Sequence, residues 1–262
     1  MPERAVDVVH GVHQLEQRHG PLFAVIGVFD GIHRGHQYLL DRLVAEAGGR
    51  AARPAVVTFD SHPDEVIVGT APPLLLDPDE RIRLLEEAGV EVIVVQHFDA
   101  ALRMTEYDDV LHRITARTAL AGILLTPDAA FGHDRRGTPD AIRVLGERDG
   151  FDLVVVPPFE IEGRSVRSSD VRSAIADGDL ARAATLLGRP YAIVASSDGD
   201  GALSVDMPVA LPPAGRFGVV VACLGASDPT PATLVVEAGG ELRLDPPPTP
   251  AGCVRVLASF AP

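Results

Sequence analysis

The chain contains no lysine, so its 23 basic residues are all arginine. A cation that binds a phosphate group must therefore be arginine, a protonated histidine or the chain's amino terminus. Aspartate and glutamate number 37, and the formal net charge is −14. This charge argues against a nucleic-acid partner, because phosphate backbones are bound by basic surfaces.

Cysteines are few, and long apolar runs are absent. The two cysteines, Cys223 and Cys253, lie far apart without the close spacing of metal ligands, which indicates a reduced protein. No signal peptide is visible, and no apolar stretch is long enough to span a membrane. The sequence therefore predicts a cytoplasmic protein that does not associate with membranes.

Apolar runs alternate with helical periodicity over the first two thirds of the chain. The predicted strands are residues 22–26, 55–59, 91–95, 122–125 and 153–156. The predicted helices are residues 6–17, 37–47, 77–88, 105–118 and 139–149, with Asp77 and Thr105 as N-caps of the third and fourth. Five alternations predict an α/β fold, a Rossmann-like five-stranded parallel sheet with helices on both faces.

The pattern changes after Gly188, where helical periodicity ends. Short apolar runs follow at residues 191–194, 217–223, 234–236 and 254–257, separated by glycine, proline and aspartate. Several short strands at such spacing indicate a small β domain. The sequence therefore predicts two domains, residues 1–188 and 189–262.

Residues 27–36 follow the first predicted strand, where open parallel sheets bind their ligands. Gly27, Gly31 and Gly35 let the backbone turn sharply and approach a ligand closely. His33 and His36 point toward one spot if the turn between them is helical, and unpaired N–H groups at a helix start favour an anion. The stretch is neither a Walker loop nor a dinucleotide motif, and no set of carboxylates and histidines completes a metal site.

A second candidate phosphate site lies at residues 166–172. Ser168 and Ser169 supply hydroxyl groups at a predicted helix start, and Arg172 supplies a guanidinium that can bind oxygens in pairs. The alternative for this segment is a helix N-cap followed by a surface arginine.

Both segments resemble known motifs. The first resembles the signature of the bacterial FAD synthetases, which belong to the nucleotidyltransferase superfamily marked by H-x-G-H; its matching residues are Gly27, Phe29, Asp30, Gly31, His33, Gly35 and His36. The second resembles I-S-S-T-x-x-R, the later mark of that superfamily. Ser168, Ser169 and Arg172 match its last conserved positions, and Arg167 replaces its first serine.

Two further segments resemble the flavin side of that family's site. Residues 58–63 resemble T-F-x-P-H-P, with Ser61 in place of the first proline, and residues 128–137 resemble D/N-F-x-F-G-x-x-R-x-G, with Ala129 where the family usually has an aromatic residue. The positions that the resemblance assigns to flavin binding are His62, Pro63, Asp128, Phe131 and Arg135. Residues 186–191 resemble the junction to the family's second module.

The resemblance implies an FMN adenylyltransferase, which makes FAD and pyrophosphate from FMN and ATP with Mg²⁺. It implies catalytic roles for His33, His36 and Arg172. It also implies nucleotide binding by Gly27, Phe29, Asp30, Gly31, Gly35, Ser168 and Ser169. Two alternatives remain open: transfer to a flavin analogue or another phosphorylated metabolite, and a binding protein without turnover.

Most bacterial members of this family carry a riboflavin kinase barrel after the junction. That barrel is marked by G-x-P-T-A-N and a catalytic glutamate. Residues 204–211 occupy the corresponding place here and lack the threonine and asparagine. The sequence therefore predicts a reduced barrel without kinase activity.

Overall fold

The computed structural model describes residues 6–197, 200–223, 229–246 and 255–261. The chain forms two compact units. The first consists of Met1–Phe29, Gly35–Pro72 and Ile82–Glu160, and the second of Asp30–Arg34, Pro73–Arg81 and Ile161–Pro262. The division into domains at residues 188 and 189 remains a prediction about the family's modules.

The first unit is built on a six-stranded parallel sheet in the order β1-β4-β3-β2-β5-β6. Its strands are β1 Asp7–Val9, β2 Leu22–Ile26, β3 Arg53–Phe59, β4 Val92–Gln96, β5 Leu120–Leu125 and β6 Asp152–Val155. All five predicted strands form, and the predicted parallel α/β sheet is confirmed, with β1 as a sixth strand that was not predicted. The central strands are almost fully buried, as expected for a sheet covered on both faces.

Six α-helices occur between these strands: α1 Arg34–Gly48, α2 Asp64–Ile67, α3 Pro78–Glu87, α4 Ala100–Arg103, α5 Tyr107–Thr115 and α6 Pro139–Asp149. The bounds of α6 match the prediction, because Thr138 caps its first turn and Gly150 ends it in the left-handed conformation. Asp77 caps α3 as predicted, with Oδ1 accepting from the backbone N–H of Asp79. Thr105 does not cap α5, since its hydroxyl donates to the carbonyl of Ala101.

The helix predicted at residues 6–17 is wrong. Its first part is strand β1, which lies at the sheet edge with Val8 opposite Ile93 of β4. Gly11 then turns the chain with a φ of 95°, and only short 3-10 turns follow. The β-branched residues gain ladder hydrogen bonds with β4, which outweigh the weak helical period of the segment.

The second unit contains α7 Ser168–Ala176, α8 Leu180–Leu187 and a closed barrel. A two-stranded pair, β7 Glu160–Ile161 and β8 Arg164–Ser165, precedes α7. The barrel strands are β9 Ala192–Ser197, β10 Ala202–Ser204, β11 Gly215–Cys223, β12 Thr230–Val236, β13 Leu242–Asp245 and β14 Arg255–Phe260, in the order β10-β13-β12-β11-β14-β9. The predicted small β-barrel is confirmed. Strands β10 and β13 were not predicted, and Val254 lies outside the described residues.

One cysteine differs from the expectation. Cys223, at the end of β11, is disulfide-bonded rather than reduced, and the chain's other cysteine, Cys253, lies outside the described residues. Across the described ranges, the structure contains no helix of the length and apolarity that crossing a membrane requires.

Candidate active site

The loop after β2 begins with a tight, buried turn in the first unit. The Gly27 N–H donates to the carbonyl of Val57, and the Thr58 hydroxyl donates to the carbonyl of Val28 over 2.9 Å. A Cβ atom at Gly27 would lie 3.1 Å from the ring of Phe29, so glycine leaves room for that ring. Phe29 is buried, has a φ of 53°, and its ring centroid lies 5.0 Å from that of His36 near the start of α1. The turn therefore fixes the position of His36.

Asp30 is a buried carboxylate of the second unit. It is 3% exposed, and its two oxygens accept from the N–H of Leu75 over 2.9 and 3.2 Å. Oδ2 also forms an ion pair with Nη2 of Arg172. Gly31 follows with a φ of 87°, where a Cβ atom would approach the Leu75 side chain to 3.0 Å. The turn at Gly31 therefore needs glycine both for its backbone conformation and for space.

The start of α7 brings two more predicted residues to Asp30. Ser168 is the first residue of α7, and its hydroxyl donates to the Asp30 carbonyl over 2.9 Å. Arg172 lies one turn later and donates from Nε to the carbonyl of Pro73 over 2.8 Å. Ser169 is exposed at the adjacent position. Within the second unit the fold thus brings together Asp30, Ser168 and Arg172, which lie far apart in the sequence.

His33 is a buried imidazole in the same unit, with 5% of its surface exposed. Burial, and to a smaller extent the nearby Arg189 guanidinium, lower its pKa to about 4, and Asp170 opposes the shift. His33 is therefore neutral at pH 7, with one ring nitrogen that donates and one that accepts. Arg189 holds the loop beside it by donating to the carbonyl oxygens of Gly31 and Ile32 over 2.7 and 3.0 Å.

A cavity of about 570 Å³ lies within the first unit. Gly27 and four of the predicted flavin residues line it: His62, Pro63, Phe131 and Arg135. Asp128, the fifth, is not among the lining residues. Its carboxylate accepts from the Thr126 hydroxyl over 2.9 Å, and its carbonyl accepts from Arg135 Nη2 over 3.2 Å. Asp128 therefore orients Arg135 instead of facing the cavity.

The cavity also has walls that the sequence motifs did not identify. Phe59 and Phe98 meet edge to face with ring centroids 5.3 Å apart, and Ile67, Leu102, Met104 and His133 are further lining residues. Phe59 belongs to the T-F-x-P-H-P-like segment and could have been found there. His133 lies in the motif segment of residues 128–137 and could have been found there as well. The remaining lining residues, Ile67, Phe98, Leu102 and Met104, lie on segments without a motif, so only their proximity in the fold identifies them.

Gly132 fixes the loop of residues 128–137, the cavity loop, against α5. Its φ is 76°, and a Cβ atom there would come within 2.5 Å of the backbone nitrogen of Tyr107. Gly137, at the other end of the loop, would place a Cβ atom 2.6 Å from Cβ of Tyr107. The glycines of this motif are therefore required for packing of the loop.

Among the residues that the structure describes, no group of three or more histidine, cysteine, aspartate or glutamate side chains could hold a metal ion. A magnesium ion at this site would depend on phosphate oxygens and water for its ligands, as is common for nucleotide substrates.

The parallel sheet and the glycine- and histidine-containing loop after β2 define an α/β nucleotidyltransferase-like fold. A family model described as FAD synthetase matches residues 15–170, more than half of the chain. The chain belongs to the FAD synthetase family.

Relatives of this chain carry the name bifunctional riboflavin kinase/FMN adenylyltransferase. The protein from Pseudomonas fluorescens is 32% identical over 189 residues, which cover 72% of this chain and 61% of the relative. The protein from Escherichia coli strain K12 is 32% identical over 190 residues, 71% of this chain and 60% of the relative. The chain thus spans about three fifths of the length of these relatives.

A solved structure shares the fold over nearly the whole chain. It is described as a macrolide-efflux protein from Streptococcus pneumoniae and aligns with a TM-score of 0.77 over 97% of this chain and 89% of its own. The sequence identity is 22%, so the likeness concerns the fold alone.

Proposed function

We propose that this protein is an FMN adenylyltransferase, which transfers AMP from ATP to FMN and yields FAD and pyrophosphate. Membership of the FAD synthetase family supports the reaction class. The observation that carries the choice of acceptor is the cavity in the first unit, where His62, Pro63, Phe131 and Arg135 lie together.

The cavity suits a flat aromatic ring system. Its volume of about 570 Å³ falls within the range of about 300 to 1,000 Å³ that small-molecule sites occupy. Phe59, Phe98 and Phe131 offer apolar ring surface, which favours stacked or edge contacts with an isoalloxazine. Ala129, at the position where the family usually has an aromatic residue, packs against the hydrophobic core, and Ala130 lines the cavity.

The transfer needs positioning and charge stabilisation rather than a covalent intermediate. An oxygen of the FMN phosphate attacks the α-phosphorus of ATP, and the bond from that phosphorus to the oxygen bridging to the β-phosphorus breaks as pyrophosphate leaves. His36 donates to the charged phosphate oxygens in this proposal, and His33 donates as a neutral imidazole. Bound Mg²⁺ would neutralise part of the triphosphate charge.

In this proposal, residues 168–172 offer fewer hydrogen-bond donors to the substrate phosphates than their motif suggests. Arg172 already donates from Nε and Nη2 to protein oxygens, so Nη1 is the group we assign to substrate. Ser168 uses its hydroxyl proton on the Asp30 carbonyl and would have to rotate to donate to phosphate, whereas Ser169 is exposed at the helix start.

We further propose that the barrel lacks riboflavin kinase activity. The part of it that corresponds to the family's kinase signature lacks the threonine and asparagine. Its backbone is also engaged with protein groups: the carbonyl of Ala210 accepts from the Tyr191 hydroxyl over 2.6 Å, and the carbonyl of Pro208 accepts from Leu74 over 2.8 Å. A cytoplasmic location and the absence of a nucleic-acid or membrane partner remain predictions.

One incubation tests these proposals. The purified protein is supplied with Mg²⁺ and ATP and with either FMN or riboflavin, and the products are separated by chromatography. FAD from FMN and no product from riboflavin is the expected result. FMN formed from riboflavin would contradict the loss of kinase activity, and no FAD from FMN would contradict the transferase assignment. A panel of other phosphorylated acceptors, followed by pyrophosphate release, would then identify a different acceptor.

A further inference from the structure

Segment 73–75 of the second unit forms backbone hydrogen bonds with the barrel loop at residues 208–210. Leu74 forms a parallel bridge with Val209. The Leu74 N–H donates to the carbonyl of Pro208, and the Ala210 N–H donates to the carbonyl of Leu74, both over 2.8 Å. Ala210 is itself held by the buried hydroxyl of Tyr191.

The other edge of the same segment holds the Asp30–Arg172 pair. The carbonyl of Pro73 accepts from Arg172 Nε, and the N–H of Leu75 donates to the carboxylate of Asp30. In an extended chain the backbone groups of successive residues point to opposite edges. Leu74 therefore bonds with the barrel while its two neighbours bond with Arg172 and Asp30.

A second link ties the barrel to the residues that follow. Arg255, the first residue of β14, donates from Nη2 to Asp77 and from Nη1 to Asp79, each over 2.8 Å. Asp77 is the capping residue of α3. The chain on the C-terminal side of segment 73–75 is thus also fixed by a barrel side chain.

We propose that the barrel positions Arg172 for adenylyl transfer, with segment 73–75 as the connecting element. The proposal rests on the proposed function, because it assigns the barrel a role in that reaction. The Nε group of Arg172 donates to the Pro73 carbonyl of this segment, and its Nη2 group donates to Asp30, which the Leu75 N–H holds in place. A shift of the barrel loop therefore moves Arg172. Ala210 and Arg255 are then positioning residues, and the barrel contributes to catalysis without kinase chemistry.

The principal test variant is Ala210→Pro, which removes the N–H that donates to Leu74. Its control is Ala210→Gly, which keeps that N–H. We expect Ala210→Pro to lower kcat by about tenfold with the KM for FMN unchanged, since a misplacement of about 1 Å can cost as much as a hundredfold. Ala210→Gly should retain the kcat of the original chain within about twofold, because no hydrogen bond to segment 73–75 is lost.

A surface variant covers the case in which proline prevents folding. Arg255→Gln breaks the link to Asp77 and Asp79, whereas the matched control Arg216→Gln breaks an ion pair with Asp245 inside the barrel. We expect Arg255→Gln to lower kcat by about threefold, with the loss smaller than that of Ala210→Pro because the link is less direct. Arg216→Gln should leave kcat unchanged.

A double-mutant cycle with Arg172→Ala separates positioning from general destabilisation. In the Arg172→Ala background neither Ala210→Pro nor Arg255→Gln should lower kcat further, because the side chain they position is gone. Losses that persist in that background, or an Arg255→Gln enzyme equal to Arg216→Gln, would overturn the proposal while leaving the transferase assignment intact. An original chain that makes no FAD would overturn both.

Discussion

Asp30 and Arg172 form an ion pair across 142 positions of the sequence, with side-chain exposures of 3% and 17%. The carboxylate is also fixed by the Leu75 N–H, and the guanidinium by the Pro73 carbonyl. The pair joins the loop after β2 to helix α7 within the second unit. Its burial makes it sensitive to the loss of either charge, because an unpaired buried charge is costly.

Asp30→Asn should therefore destabilise the protein. The amide keeps an oxygen for the Leu75 N–H but removes the charge that pairs with Arg172. We expect the free energy of unfolding to fall by about 3 kcal/mol, the scale on which breaking a buried ion pair acts. Denaturant titration measures this, with Asp245→Asn as a control: its pair with Arg216 is about 64% exposed, and the expected change is within about 1 kcal/mol. Equal effects of the two variants would contradict the prediction.

The buried His33 should make stability depend on pH. Its pKa is about 4 in the folded protein and 6.5 in the unfolded chain. Between these values the unfolded chain binds a proton that the folded protein does not, so unfolding is favoured as the pH falls. The contribution of neutral His33 to the free energy of unfolding is fully present above pH 6.5. Up to about 3 kcal/mol of that free energy is lost by pH 4.

Denaturant titrations at pH 7 and pH 5 of the original chain and of His33→Gln measure this dependence. The original chain should lose more stability between the two pH values, because glutamine does not titrate. Equal losses of stability in the two proteins would mean that the pKa of His33 is the same in the folded and unfolded states.

His36→Ala should lower turnover by about a hundredfold or more, the scale expected for loss of one donor to a charged transition state. The KM for FMN should change little, because His36 is assigned to the ATP phosphates. Steady-state kinetics with FMN and ATP measure both effects. His112→Ala is the control, since His112 lies on the surface and pairs with Asp149. Near-normal turnover of His36→Ala would remove its catalytic assignment.

Gly132→Ala should weaken FMN binding by more than about tenfold, because the new Cβ atom meets the backbone of Tyr107 and must displace the cavity loop. Gly150→Ala is a matched control: its φ is 82°, close to the 76° of Gly132, but no atom lies within 4 Å of the new Cβ. Fluorescence titration of FMN compares the two. Similar affinities would indicate that the loop does not form the flavin site.

Local sequence signals were sufficient to predict much of the secondary structure of the first unit. The predicted bounds of helix α6 match the structure residue for residue, and the structure shows that Thr138 caps its start and Gly150 ends it. Strand β2 was predicted equally well from its continuous apolar run. The three-residue strand β1 was mistaken for helix, because its conformation depends on pairing with β4 rather than on its own residues.

In the candidate site as well, some features could be predicted from local sequence and others depend on the fold. The histidines, serines and Arg172 could be named from short motifs, since each motif is contiguous in the chain. The neutral state of His33 and the contacts of Asp128 with Thr126 and Arg135 could not be predicted, because they depend on burial and on neighbours that the fold supplies. Segment 73–75 carries no motif, yet its backbone joins the barrel to Arg172.

Most strands and helices of the first unit, the family and the residue types of the candidate phosphate site follow from contiguous patterns of apolar, capping and motif residues. The Asp30–Arg172 pair, the walls of the cavity and the link from the barrel to segment 73–75 depend on residues that are distant in the chain. Such contacts form only when the folded backbone brings their partners together, so no local pattern encodes them.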